Sequence, residues 1–193
     1  MARPKAFDRD TALQAAIEVF WTKGFAGAST EDLTAAMGIG RQSLYDTFGD
    51  KRRLYLEALT RYNTDNVAGH LAALQDGGSA TQAIETLLLR FANEPDDRRV
   101  RGCMGVNAIC EFGQDPDVAA AREPSGARLE AHLTRLLERG KAQGEVAASV
   151  EPQSAARFIA ATLAGLKVQA KAGAPAEILR EVAAFAVDSL KPR

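Results

Sequence analysis

A chain of 193 residues with 24 basic and 25 acidic side chains, formal net charge −1, has room for one substantial domain or a small domain joined to a medium one. That balance argues against an RNA coat or a histone-like wrapper, while leaving room for a local DNA-binding face. Hydrophobic residues make up 46%, and 37 residues are alanine against only 10 valines and 6 isoleucines. The core is therefore expected to be built from helices, and the fold class is all-α.

No apolar run approaches the roughly 20 residues of a membrane span. Met1 to Lys5 leads straight into charged sequence with no apolar signal segment, and two cysteines make no disulfide framework, so a cytoplasmic protein is expected. His70 and His132 lie far in sequence from each other and from Cys103 and Cys110, which gives neither a metal site nor a nucleophilic triad. No enzyme and no cofactor is predicted.

Leu13, Ala16, Ile17 and Phe20 share one helical face, with Asp8 or Asp10 to cap the start and Gly24 to follow the end. Ser29 to Asp32 supplies a hydroxyl cap and early acidic residues for a short second helix, which Gly38 and Gly40 terminate. A third runs from Arg41 to about Thr47, and Asp50 caps a fourth carrying Leu54, Ala58, Leu59 and Tyr62. After the Gly77-Gly78 linker a helix runs through Leu87, Leu88 and Phe91. A break at Glu94 to Asp97 precedes a short helix from about Cys103 to Phe112. Asp115-Pro116 opens a long helix to about Lys141, in which Pro124-Ser125-Gly126 predicts a kink or break. Two helices, about Pro152 to Lys171 and Pro175 to Leu190, complete a count of nine.

The second and third helices with their glycine turn form a helix-turn-helix pattern. Ala35 and Ala36 are expected to let the helices approach closely, while Ile39, Leu44 and Phe48 form an apolar wedge. Arg41, Gln42, Ser43, Tyr45, Asp46 and Thr47 then face outward, as a major-groove reader requires. An ordinary helical hairpin with a solvated face remains the alternative at this point. Arg3, Lys5 and Arg9 make either a minor-groove arm or a solubilising tail.

Ala15 to Phe20, Gly24-Phe25, Ser29-Thr30, Leu33 to Ile39 and Ser43 to Lys51 together resemble the TetR/AcrR family of bacterial transcriptional regulators. The resemblance is dense from about residue 9 to 60 and looser beyond. It implies an all-α homodimer with a DNA-binding domain over residues 1–50 and a ligand-binding, dimerising domain over 51–193. It also implies two partners besides the second subunit: a double-stranded DNA operator and a small-molecule effector that controls affinity. On the matching positions it places Arg41, Gln42 and Ser43 at bases, Tyr45 and Thr47 at phosphates or base edges, and Thr30 and Lys51 at the backbone. Asp46 departs from the family's usual aromatic or basic residue, and pairing with Arg41 or Lys51 is its alternative role.

Phe158, Leu163 and Leu166, then Ile178, Val182 and Phe185, are the candidate dimer surface, with Ala160, Ala164 and Gly165 allowing close approach. Phe91, Met104, Asn107 and Cys110 are candidates for a ligand pocket, the last three on one helical face. Cys103, preceded by Arg98, Arg99 and Arg101, raises an alternative function as a thiol-based sensor of oxidants or electrophiles. A helical interaction protein that does not read DNA is the third reading.

Overall fold

Asp8 accepts a hydrogen bond from the Thr11 backbone N–H at 2.6 Å and so opens α1 (Arg9–Gly27). In the computed structural model, which describes residues 7–74, 78–93 and 96–192, the α1 stripe Leu13, Ala16, Ile17 and Phe20 is buried. Gly24 does not end the helix but kinks it: its φ of 70° and ψ of 177° leave helical geometry, which resumes to Gly27. The side chains of residues 73, 91 and 96–98 are outside the description, as are residues 1–6 and with them Arg3 and Lys5 of the expected arm.

Ser29 and Asp32 form a reciprocal capping box at the start of α2 (Thr30–Met37), and Gly38 closes it in the left-handed conformation. Lys23 and the Ser29 hydrogen bonds hold the Asp32 carboxyl down at about 2, so the cap is ionised at neutral pH. Then follow α3 (Arg41–Phe48) and α4 (Lys51–Ala73), the latter capped by Asp50. Beyond the turn come α5 (Ala80–Ala92), α6 (Asp96–Arg101), α7 (Met104–Phe112), α8 (Pro116–Ala142), α9 (Pro152–Lys171) and α10 (Ala176–Asp188). All nine expected helices are present among the described residues. The tenth, α6, is a short helix in the segment read as a break.

Pro124 does not break the chain: α8 is continuous from Pro116 to Ala142. The proline and the residue four before it, Ala120, both lie on the exposed side, where water satisfies the carbonyl that loses its partner. Packing holds the two halves in line, with Val118 buried on one side of the proline and Leu129, Leu133, Leu136 and Leu137 on the other.

Two apolar clusters divide the molecule. One joins α1, α2 and α3 to Leu54, Tyr55, Ala58 and Leu59 of early α4, and reaches Met104, Ala108 and Val118. The other collects late α4 with α5, α8, α9 and α10. Helix α4 belongs to both, while α7 packs on α1 and α4 on one side and on α8 and α9 on the other. That placement joins the helix-turn-helix to the C-terminal bundle.

Candidate nucleic-acid interface and hollows around Lys167

Leu44 and Phe48 sink α3 into the N-terminal cluster, with Leu33 and Met37 of α2 beside them and Ile39 half-buried at the turn. Ala35 and Ala36, expected between the helices, are instead exposed. The buried contact of α2 is made by Leu33 and Met37, four apart on the opposite side. Arg41, Gln42, Tyr45 and Asp46 stand exposed along α3, with Ser43 and Thr47 half-buried among them.

Polar contacts order this face. Arg41 lies 3.6 Å from Glu31 of α2 and also pairs with the Tyr45 hydroxyl, which it holds below its ordinary pKa. Gln42 donates to Asp46 at 2.8 Å, one turn on. The expected pairing of Asp46 with Arg41 or Lys51 is therefore corrected: the side chain in register is Gln42, at i and i+4 on the same helical face. Thr30, half-buried, is the first residue of α2, and its hydroxyl lies toward Tyr45. Lys51, first residue of α4, sits with its ammonium 4.4 Å above the Phe25 ring.

Arg9 does not belong to an arm. It pairs with Glu57 of α4 at 2.6 Å and covers the Phe48 ring at 4.8 Å, so it clamps α1 to α4. Trp21, off the α1 stripe, donates to the Gly102 carbonyl at 3.0 Å, stacks edge-on against Tyr62 and lies under Arg101.

The second feature lies behind α7. Lys167 of α9, with 7% of its surface exposed, donates toward His70 Nε2 at 3.3 Å and Cys103 Sγ at 3.8 Å, and no carboxylate pairs with it among the described residues. Burial first, then the charges of Lys167 and Arg90, pull the His70 imidazole down to about 3. Neutral His70 therefore accepts from Lys167 at Nε2 and carries its hydrogen on Nδ1, which has no partner. Asn63, also buried, leaves its Nδ2 unpaired. Gly105 faces it, and a side chain there would strike the Asn63 amide oxygen.

Lys167 borders three hollows. One of about 250 Å³ lies between α4, α7, α8 and α9, one of about 270 Å³ opens beside Trp21, and one of about 520 Å³ lies along α7. Among the expected pocket residues, Asn107 and Cys110 line the third of these, Asn107 accepting from Lys171 at 2.8 Å. Met104 is packed in the N-terminal cluster and borders none of the three, and the Phe91 side chain lies outside the described residues. Sequence reasoning missed Asn63, His70 and Lys167, which come from separate stretches of chain and meet only on folding. Cys103 is buried and Cys110 exposed. The cation beside Cys103 is Lys167, whereas Arg101 is engaged with Glu18 at 2.8 Å.

The α9–α10 face separates into two sets. Phe158, Ile178, Val182 and Phe185 are exposed, Phe185 by 75%. Leu163 and Leu166 are buried at 4% and 3%, inside the core of their own chain. Their place on the dimer surface is corrected, because α9 turns them toward the bundle interior and leaves Phe158 and Val168 outside.

Residues 12–58 match the family described as bacterial regulatory proteins, tetR family, and residues 80–185 match the tetracyclin repressor-like C-terminal domain. The chain is 38% identical over 148 residues, 76% of each protein, to the uncharacterized HTH-type transcriptional regulator YezE of Bacillus subtilis. It is 30% identical over 184 residues, 94% of this chain and 88% of the other, to the HTH-type transcriptional repressor ComR of Escherichia coli. A solved structure of the TetR family regulator CifR, a cysteine mutant complexed with 26-bp double-strand operator DNA, is 35% identical. It covers 98% of this chain and 100% of its own, with a TM-score of 0.81. With both halves of the chain matched in order and the helix-turn-helix in place, the protein belongs to the tetR family, whose members are DNA-binding transcriptional regulators and not enzymes.

Proposed function

We propose that the protein is a dimeric repressor that grips a two-fold operator through α2 and α3 of each subunit and lets go when a small molecule occupies the hollows around α7. The observation that carries this reading is the polar face of α3, exposed and fixed on Leu44 and Phe48. The CifR complex with operator DNA, similar over nearly the whole chain, supports it.

Arg41 and Gln42 read base edges, and Ser43, Tyr45 and Thr47 contact edges or phosphates. Thr30 and Lys51 bind the DNA backbone at the starts of α2 and α4. Phe158, Ile178, Val182 and Phe185 form the contact with the second subunit, giving a four-helix bundle from two copies of α9 and α10. Two recognition helices about 34–36 Å apart then meet successive turns of a palindrome. The operator-binding unit is assigned to residues 1–50 and effector and dimer contacts to 51–193, with early α4 packed against the first unit as the lever between them.

Selection of bound sequences from random duplex, followed by affinity measurement at several salt concentrations, tests this. A salt-sensitive preference for one palindrome is expected, and equal affinity for random duplex overturns it. Arg41→Ala should relax selection at one base pair by about 1–3 kcal/mol, whereas Lys51→Ala should weaken all sequences alike. Equal loss on every sequence from both changes would reverse that assignment of roles.

A second reading, release by thiol modification, draws on the 3.8 Å approach of Lys167 to Cys103. It requires N-ethylmaleimide to release operator from the protein and Cys103→Ser to abolish that release. Release that survives the substitution excludes it.

A further inference from the structure

Asp46 is the one acidic side chain of α3, and it stands exposed on the face assigned to DNA. A carboxylate there weakens binding to every sequence, because the phosphates repel it. Arg41 is held by Glu31 and Tyr45, and the Lys51 ammonium lies above Phe25, so among the described residues no cation neutralises Asp46. Its contact is with Gln42, whose Nε2 donates to Asp46 Oδ1 at 2.8 Å. Gln42 is the second residue of α3, where recognition helices meet base edges. Asp46 lies one turn further along, about 6 Å down the axis, and so stands behind Gln42.

The chemistry of that pair is one-sided. An ionised carboxylate only accepts, so Gln42 must turn its amide nitrogen toward Asp46 and its oxygen elsewhere. A free glutamine amide rotates about a soft last torsion and can offer two donors or a donor beside an acceptor. In the major groove guanine presents two acceptors, N7 and O6, whereas adenine presents the N7 acceptor beside the N6 donor. An unrestrained Gln42 can therefore serve both purines. With one N–H given to Asp46 it keeps Oε1 and a single N–H, a pattern that adenine alone completes. Guanine would set an acceptor against Oε1.

We propose that Asp46 is a specificity-determining positioning residue that makes Gln42 read adenine and reject guanine. It takes the N–H trans to Oε1 and leaves Oε1 and the neighbouring N–H as the edge that meets the base. This rests on the reading above that α3 enters the major groove of an operator, and it assigns one base of that operator.

The test uses an operator duplex selected by the full-length protein, then competition among four duplexes that differ at one base pair. Gln42→Ala identifies that pair as the one at which it erases preference. The parent is expected to take adenine there over guanine by about tenfold. In Asp46→Ala that ratio should fall to about twofold or less, with preference at every other pair unchanged. Both side chains are exposed, so both variants are expected to fold, with circular dichroism as the check. A role through charge alone would raise affinity for all sequences equally, so an unchanged ratio in Asp46→Ala overturns the proposal. So does a parent that prefers a base other than adenine at that pair, or a Gln42→Ala protein that loses no base preference. In the Gln42→Ala background, Asp46→Ala should alter no preference. A change there means that Asp46 contacts a base itself, which also overturns the proposal. In each of these outcomes the operator reading stands, whereas equal affinity of the parent for random duplex removes both.

Discussion

Gly24 and Glu111 show how one residue can join two parts of the molecule. The kink at Gly24 strips helical partners from the next backbone N–H groups, and the Glu111 carboxylate of α7 accepts from Phe25 at 3.0 Å and from Ala26 at 2.7 Å. A Cβ at position 24 would lie 3.2 Å from a Glu111 oxygen, at a φ of 70° and ψ of 177° that only glycine adopts readily. Gly24→Ala should therefore cost about 1–3 kcal/mol, read as a lowered thermal midpoint. His70 gives a pH prediction. Its folded pKa of about 3 lies below the ordinary histidine value of 6.5, so the unfolded chain binds the extra proton between those limits. The His70 contribution to stability is thus complete above pH 6.5 and lost as pH falls toward 3. Denaturant unfolding of His70→Gln across that range should show a shallower acid loss than the parent, and parallel curves would contradict it.

At the scale of elements, how well a helix could be read depended on whether its neighbours mattered. Capping and periodicity are local, so Asp8, Ser29 and Asp50 marked helix starts that the structure shows with their side-chain bonds made. Gln42 meets Asp46 at i, i+4, whereas Arg41 and Lys51 each stand five residues from Asp46 and out of register, so charge alone points to the wrong partners. On α9 periodicity was ambiguous, because two of its faces carry apolar residues and only the packed bundle shows that Leu163 is core and Phe158 surface. The donor cluster was out of reach altogether: Asn63, His70 and Lys167 have no sequence spacing in common, and their missing acceptors are a property of the folded interior. In α8, a proline that ordinarily ends a helix is carried by packing on either side. Pro124→Ala should then stabilise the protein by about 1–3 kcal/mol, since it restores the bond to Ala120 and removes the ring clash. Operator affinity should not change. An unchanged or lowered thermal midpoint would mean that the proline shapes α8 in a way the native packing requires.

For the whole molecule, the near-neutral charge and the exposed α9–α10 face bear on the same question. Through Tyr62 the sequence carries nine basic and eight acidic residues, a net of only +1, so long-range attraction gives one subunit little grip on DNA. Arg9 and Arg52 add less than their number suggests, being paired with Glu57 and with Asp115 and Asp117. On the proposed dimer, affinity comes from two subunits held at operator spacing, where the second contact is effectively intramolecular. Phe185, 75% exposed at the C-terminal end of the apolar stripe it shares with Ile178 and Val182, is the position at which to separate folding from pairing. Phe185→Asp puts a charge where two copies would meet but touches no buried core, so helicity and single-subunit unfolding should persist. Light scattering should report a monomer, and operator affinity should fall by about a hundredfold or more at nanomolar protein. Leu163→Asp is the contrasting substitution, because a carboxylate 4% exposed in the core should unfold the chain. A Phe185→Asp protein that remains dimeric with full operator affinity would move the dimer contact away from α9 and α10, whatever the recognition helix does.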